Sequence, residues 1–173
     1  MLVLLATGIS NIHPIITFIV AIFVSISVIT VSLAIADGGT PSFKGLFSKY
    51  SNYKIFVNYI IASIATGAIV LVGLILLVVP GIYLAVRLQF YKFLIVDKGD
   101  IGPIMALKES WRITDNHAWN LFLFLILIAL LNILGVILLG IGLFVTVPIS
   151  MIAYALLYRK LLVGLSLTAQ PKA

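Results

Sequence analysis

Cysteine is absent from this 173-residue chain, and aspartate and glutamate together number only five. Without cysteine the chain forms no disulfide and has no thiol chemistry, so the sequence carries no sign of its redox compartment. Charged residues make up 9% of the chain and hydrophobic residues 63%, with a mean hydropathy of +1.29. Because a soluble domain is about half apolar and a quarter charged, water is not the main solvent of this chain.

Long apolar runs make up most of the chain. A helix needs about 20 mostly apolar residues to cross the hydrocarbon core, and residues 14–36, 55–79 and 119–139 each have that length. A fourth run, over 143–160, is shorter and reaches Arg159 without a charge. These runs lack the alternation of polar and apolar residues that a membrane barrel needs. The sequence therefore predicts an all-α fold, a polytopic helical membrane bundle that forms a single domain.

A further apolar segment, over 82–96, follows Pro80-Gly81. A helix of that length is about 22 Å long, which is short of the roughly 30 Å hydrocarbon core. We interpret it as a short return span after a reversal at Pro80-Gly81, which brings the number of spans to about five. The alternatives are a kinked continuation of the preceding span and a half-buried surface helix. A long span, a glycine or proline break and a shorter span occur twice, at 55–96 and 119–158.

The basic residues favour the return. If the chain reverses near Pro80 and again near Gly142, the loops 37–54 and 97–118 and the tail from Arg159 lie on one side of the membrane. Lysine and arginine gather on the cytoplasmic side, so we expect cytoplasmic loops and a cytoplasmic C-terminus in a plasma (inner) membrane. The net charge of +6 then indicates anionic lipid headgroups as partners, not nucleic acid.

Two segments on the basic side are predicted to be interfacial helices. Residues 42–53 combine aromatic rings with lysines, and residues 103–114 place apolar residues at helical spacing with basic residues between them. Trp111, together with Lys108 and Arg112, is the expected anchor of the second helix at the interface.

Arg87 stands out because an ionised side chain inside a span costs about 2.5–3.5 kcal/mol on insertion scales. Tyr83, Arg87 and Tyr91 recur every four residues, and Lys92 follows. This stripe is a candidate contact for an anion such as a lipid phosphate. In the alternative interpretation Arg87 reaches a headgroup or a backbone carbonyl and only orients a short helix.

The last span carries one polar face. Thr146, Ser150, Tyr154 and Tyr158 also recur every four residues, and their hydroxyls can bond to a neighbouring helix. We expect this face to hold helices together and not to bind a ligand.

The scarcity of acids and histidines argues against catalysis. His13 and His117 fall on opposite predicted sides of the membrane, and the acids lie outside the apolar runs. No pair of carboxylates, metal-ligand cluster, nucleophile with a base, or phosphate loop can be assembled from them. We therefore expect no enzymatic activity, no cofactor and no metal.

Four short runs resemble an uncharacterised prokaryotic membrane family. They are residues 77–83 (LVVPGIY), 93–98 (FLIVDK), 106–114 (ALKESWRIT) and 158–161 (YRKL). Their order is similar to the YciC-like proteins and to the membrane domain fused to some glycerophosphodiester phosphodiesterases. The resemblance implies a polytopic inner-membrane protein, commonly of six helices. In the fused proteins the catalytic residues belong to the soluble part, so the resemblance implies no activity for this chain.

These observations favour a membrane protein without catalytic activity, a structural or scaffolding module of the cell envelope or of lipid handling. The main alternative is a small transporter or lipid-translocating protein in which Arg87 and the tyrosines line a path. A second alternative is the membrane half of a split phosphodiesterase. Besides lipids, the expected partners are further copies of the chain or another membrane protein.

Overall fold

The computed structural model describes residues 14–39, 53–137 and 142–168. Within these ranges the chain forms helices and no strand: α1 Pro14–Ala36, α2 Tyr53–Leu76, α3 Val78–Leu88, α4 Tyr91–Lys98, α5 Pro103–Ile113, α6 Ala118–Ile137 and α7 Leu143–Thr168. Five stretches of the described residues are long and apolar enough to cross a membrane, namely Ile16–Ala36, Tyr53–Leu76, Val78–Lys98, Ala118–Ile137 and Val145–Gly164. The predicted all-α membrane bundle is confirmed.

α2 and α3 form a tight hairpin. The only residue between them is Leu77, which has an extended backbone. The reversal therefore precedes the predicted Pro80-Gly81, because a proline is tolerated in the first turn of a helix, where backbone donors lack intrahelical partners anyway. Gly81 serves a close approach instead. A Cβ on Gly81 would lie 2.6 Å from Leu74 Cγ, and one on Gly73 would lie 3.0 Å from Gly81 Cα.

The chain runs back along α2 after this turn. Beyond the glycine contact, the hydroxyl of Tyr91 donates to Ser63 Oγ at 2.9 Å, and Asn58 Nδ2 donates to the carbonyl of Ile101 at 3.0 Å. Residue numbers rise along the return as they fall along α2, so the two segments are antiparallel. The predicted return span is confirmed, and it covers all of α3 and α4 and not 82–96 alone. The kinked continuation and the surface helix are wrong.

α3 and α4 supply much of the centre of the bundle. α3 ends at Leu88, and a two-residue turn, Gln89 and Phe90, separates it from α4. The aromatic and aliphatic side chains that follow the break are almost fully covered by α1, α2, α5 and α7. The outer faces of α1, α2 and α6 carry large apolar side chains in the open, as helices surrounded by hydrocarbon do.

α6 and α7 form a second hairpin with the same kind of closure. A Cβ on Gly135 would lie 2.7 Å from Thr146 Oγ1, and one on Gly142 would lie 2.7 Å from Gly135 Cα. The backbones therefore touch near the turn, as they do at the first glycine pair. The repeat in hydropathy between 55–96 and 119–158 has a structural counterpart in these two glycine-closed hairpins.

The other element bounds differ from the predicted ones by a few residues. α2 begins at Tyr53 and not at 55, α6 begins at Ala118 and not at 119, and α7 continues beyond 160 to Thr168. The predicted end of the α6 span at 139 lies outside the described residues. α1 matches the predicted 14–36, and α5 ends one residue before the predicted 114. The predicted interfacial helix over 42–53 lies outside the described residues except for Tyr53, with which α2 begins.

Candidate functional site

Arg87 lies in the last turn of α3, where the helix dipole favours a cation, and only 2% of it is exposed. Nη1 donates to the carbonyl of Thr114 at 2.7 Å, and Nη2 donates to Asp115 Oδ1 at 2.9 Å. The Trp111 ring covers the guanidinium, with its centroid 4.3 Å from Cζ. We call these four residues the Arg87 site. A backbone carbonyl and the Asp115 carboxylate thus bind the buried cation, and contact with a lipid phosphate stays a prediction.

α5 docks on the break between α3 and α4. The carbonyl of Arg87 has lost its intrahelical donor there and accepts a hydrogen bond from Ser110 Oγ at 3.0 Å. Thr114 Oγ1 lies 3.1 Å from the same carbonyl and shares its one proton with the carbonyl of Ser110 at 2.7 Å. Ser110 Oγ also accepts from the N–H of Phe90 at 3.3 Å. The Ser110 hydroxyl of α5 therefore satisfies a buried donor and a buried acceptor, which would be unsatisfied if α5 left the bundle.

The same break divides the stripe predicted to contact an anion. Tyr83 remains beside Arg87 and meets the Trp111 ring edge to face, with 5.9 Å between centroids. Tyr91 instead faces α2, where its hydroxyl bonds Ser63. A four-residue spacing marks one face only in an unbroken helix, and the turn between α3 and α4 changes the direction of the later side chains.

Lys92 also belongs to the α2 side. Its ammonium lies 5.7 Å from the ring centre of Tyr59 and 5.7 Å from that of Tyr91, within the range of cation–π attraction. The predicted set of Tyr83, Arg87, Tyr91 and Lys92 is therefore two separate groups that do not converge on one ligand.

Arg159 of α7 forms a second charge cluster. Its guanidinium binds Asp97 through two hydrogen bonds, at 2.9 Å to Oδ2 and 3.0 Å to Oδ1, and donates to Asp37 Oδ2 at 2.7 Å. The hydroxyl of Tyr158 donates to Asp97 Oδ2 at 3.0 Å. The expectation that no pair of carboxylates can be assembled is wrong for Asp37 and Asp97, which share one arginine. We call these four residues the Arg159 cluster.

Sequence reasoning missed this cluster although a signal was present. Asp37, Asp97 and Arg159 each stand where a predicted span ends on the basic side. Opposite charges at the same depth of a bundle pair readily, so depth and charge together would have suggested the contact. Local spacing did not, because 62 and 122 residues separate Arg159 from its partners.

The Arg159 cluster defines a charged end of the bundle. It joins the segment after α1, the last turn of α4 and the C-terminal half of α7. Glu109 of α5 adds to this end, with ion pairs of 3.6 Å to Lys98 and 3.1 Å to Arg112. The described parts of the segments that the charge pattern assigned to one side of the membrane, from Asp37, Asp97, Glu109 and Arg159, thus lie at one end of the bundle.

The two faces of α5 differ in character. Its inner face is buried in the bundle and consists of Ala106, Ser110 and Ile113. Its outer face combines cations with apolar side chains, all exposed: Ile104, Met105, Lys108, Trp111 and Arg112. The predicted anchors Trp111, Lys108 and Arg112 therefore lie on the outer face, and the ring of Trp111 also reaches inward over Arg87.

The polar face of α7 packs inside the bundle. Ser150 Oγ accepts a hydrogen bond from Asn132 Nδ2 of α6 at 3.2 Å. Tyr154 and Tyr158 pack against aromatic rings of α6 and α4, and Thr146 occupies the space beside the second glycine pair. All four residues contact neighbouring helices. Among the described residues, no group of three histidine, aspartate or glutamate side chains is placed to hold a metal.

Comparison with known proteins identifies a family and no activity. The sequence profile described as Domain of unknown function (DUF7847) matches residues 4–170. No curated protein and no solved structure matches the chain. The resemblance to YciC-like proteins and to phosphodiesterase membrane domains stays a prediction.

Proposed function

The chain belongs to the DUF7847 family, and we propose that it is a structural module of the plasma membrane that presents α5 to anionic lipid headgroups on the cytoplasmic face. The proposal includes no catalytic activity. The observation that carries it is the two-sided helix α5, whose inner face is bonded to the bundle and whose outer face combines cations, a tryptophan and apolar side chains. Such a face suits the boundary between headgroups and acyl chains.

Contacts within the bundle hold α5 in a fixed position. Two glycine-closed hairpins bring backbones into contact, and the Arg159 cluster joins α4, α7 and the segment after α1 at the charged end. The Arg87 site then fixes α5 to the break between α3 and α4. An interfacial helix that is ordered before it meets a lipid loses little conformational entropy on contact. This support is the scaffolding role that we propose.

The charge of the outer face fits anionic lipid. Lys108 is exposed, and the side chain of Arg112 is 64% exposed although it pairs with Glu109. Each basic residue near an anionic membrane surface contributes about 1 kcal/mol. Together the two cations would favour an anionic leaflet by about 2 kcal/mol before screening by salt.

The lipid-translocating alternative has weaker support in the geometry. It requires Arg87 and the tyrosines along one path, and these residues form two groups held by protein contacts. Partnership with a soluble phosphodiesterase stays a prediction.

The test is the stability of the protein in nanodiscs of phosphatidylcholine with and without phosphatidylglycerol. We expect phosphatidylglycerol to raise the unfolding midpoint of the wild type, and the Lys108→Gln/Arg112→Gln variant to lose most of that gain. Lys160→Gln is the matched control, because Lys160 is an exposed cation on α7. An equal gain for the wild type and the double variant would refute the proposed role of α5.

A further inference from the structure

A groove lies between α3 and α6 and is open along one side. Its volume is about 400 Å³, which is the size of a small-molecule pocket. Its walls are almost entirely apolar, with Val79, Ile82 and Val86 from α3 facing Ala118 and Phe122 from α6. Tyr83 and Trp119 complete the lining.

The surroundings of the groove determine what can fill it. Both walls belong to stretches long and apolar enough to cross a membrane, so hydrocarbon lies outside the opening. Water gains no hydrogen-bond partners from such walls, and an empty groove forfeits dispersion contacts. The occupant is therefore an apolar chain.

The size of the groove argues against a helix from a second copy. A helix with its side chains is about 10–12 Å across, so 400 Å³ would hold only about one turn of it. An acyl chain is far thinner and enters from the surrounding lipid without displacing either wall.

One end of the groove reaches the Arg87 site. Val86 in the wall precedes Arg87, and Tyr83 in the wall meets the Trp111 ring. On the other wall Trp119 is 69% exposed, and an indole carries one N–H donor. Trp119 lies in the first turn of α6, next to the basic segment 97–118, and tryptophan rings favour headgroup depth, so we place this end of the groove at the headgroups.

We propose that this groove holds one acyl chain of an anionic glycerophospholipid, with its phosphate at the end formed by Trp111 and Trp119. The cations of the α5 outer face give that end the complementary charge. The inference rests on the proposed function for the depth and orientation of α5, and it adds a defined binding site. The acyl chain alone gives no selectivity, because bulk lipid offers it an equally apolar environment. Selectivity therefore arises at the phosphate, where we expect a preference of about three- to tenfold over a zwitterionic lipid.

The chain has two tryptophans, both at the proposed phosphate end, so the lipid preference is measured first in the wild type and then in Trp111→Phe, which leaves Trp119 as the only indole reporter. The protein is reconstituted in mixed vesicles in which either phosphatidylglycerol or phosphatidylcholine carries brominated acyl chains, which quench tryptophan on contact. We expect brominated phosphatidylglycerol to quench Trp119 about three- to tenfold more than its share of the bilayer predicts.

Two variants fill the groove, Ala118→Phe and Ile82→Phe, and Leu127→Phe on the exposed face of α6 is the control. We expect either filling variant to abolish the preference and the control to keep it. Circular dichroism identifies a variant that has not folded, and the other filling variant then decides.

Three results would overturn the inference. Quenching in proportion to bulk composition would show that the groove does not select lipid. A preference that survives both filling variants would place the lipid outside the groove, and a Trp119 that neither lipid quenches would indicate a protein occupant. None of these results changes the outcome expected for Lys108 and Arg112 in the nanodisc test. Failure of the lipid-binding groove and failure of the proposed function are therefore distinguishable.

Discussion

Removing the two hydroxyls that bind the carbonyl of Arg87 should destabilise the protein more than the two single changes predict. Ser110→Ala leaves the buried N–H of Phe90 without its acceptor, which costs about 1–3 kcal/mol. Thr114→Val keeps the shape of the side chain and also removes the contact of this hydroxyl with the carbonyl of Ser110 at 2.7 Å; it costs about 1 kcal/mol, because Ser110 Oγ still binds the carbonyl of Arg87. In the double variant that carbonyl loses both donors. We therefore expect a coupling of about 1–2 kcal/mol beyond the sum of the single effects.

The assay is equilibrium unfolding in mixed micelles, followed by tryptophan fluorescence, because Trp111 packs on the Arg87 site that the two changes loosen. Thr30→Val is the matched control, since its hydroxyl bonds only the carbonyl of Ile26 in its own helix at 2.8 Å. We expect the control to change stability by less than about 0.5 kcal/mol. Strict additivity of Ser110→Ala and Thr114→Val would refute the claim that α5 is fixed by one shared acceptor.

Two further predictions concern the framework of the bundle. Arg159→Gln should destabilise the protein by about 2–3 kcal/mol, because it breaks the contacts with both carboxylates. Asp37→Asn should cost less than about 1 kcal/mol, because the Asp37 side chain is 48% exposed and its charge is screened. Unfolding in mixed micelles measures both changes, and equal losses would contradict the geometry. Gly81→Ala should destabilise the protein by about 1–3 kcal/mol, since the added Cβ would meet the backbone of Leu74. The Cβ added by Gly67→Ala would point into open space, so this change should be neutral or stabilise the protein by up to about 1 kcal/mol. A similar response to the two changes would show that the hairpin is not closed at Gly81.

The sequence predicts the spans because long apolar runs depend on composition and not on tertiary contacts. It also predicts the return span, because only a return places the basic loops and the basic tail on one side of the membrane. The position of the first turn was misplaced by three residues. Pro80 suggested a break, yet a first helical turn accommodates proline as readily as a loop does.

The candidate site was harder to predict because it depends on a break with no sequence signal. Gln89 and Phe90 contain neither glycine nor proline, so the stripe from Tyr83 to Tyr91 looked continuous. The hydrogen-bond partners of Arg87 lie 27 and 28 residues further along the chain, just after α5. The periodicity of a sequence does not show how such a helix packs on the bundle. The spacing of α5 predicted a helix with exposed anchors, but it did not identify the buried face of Ala106, Ser110 and Ile113.

The most direct test of the account is the accessibility of single cysteines, which the cysteine-free chain allows without prior substitution. Gly39→Cys after α1, Asp100→Cys after α4 and Lys160→Cys on α7 all stand near the charged end. In oriented membrane vesicles we expect an impermeant thiol reagent to label all three from the cytoplasmic side and none from the opposite side. Labelling of any two from opposing compartments would contradict a bundle whose charged end faces one aqueous phase.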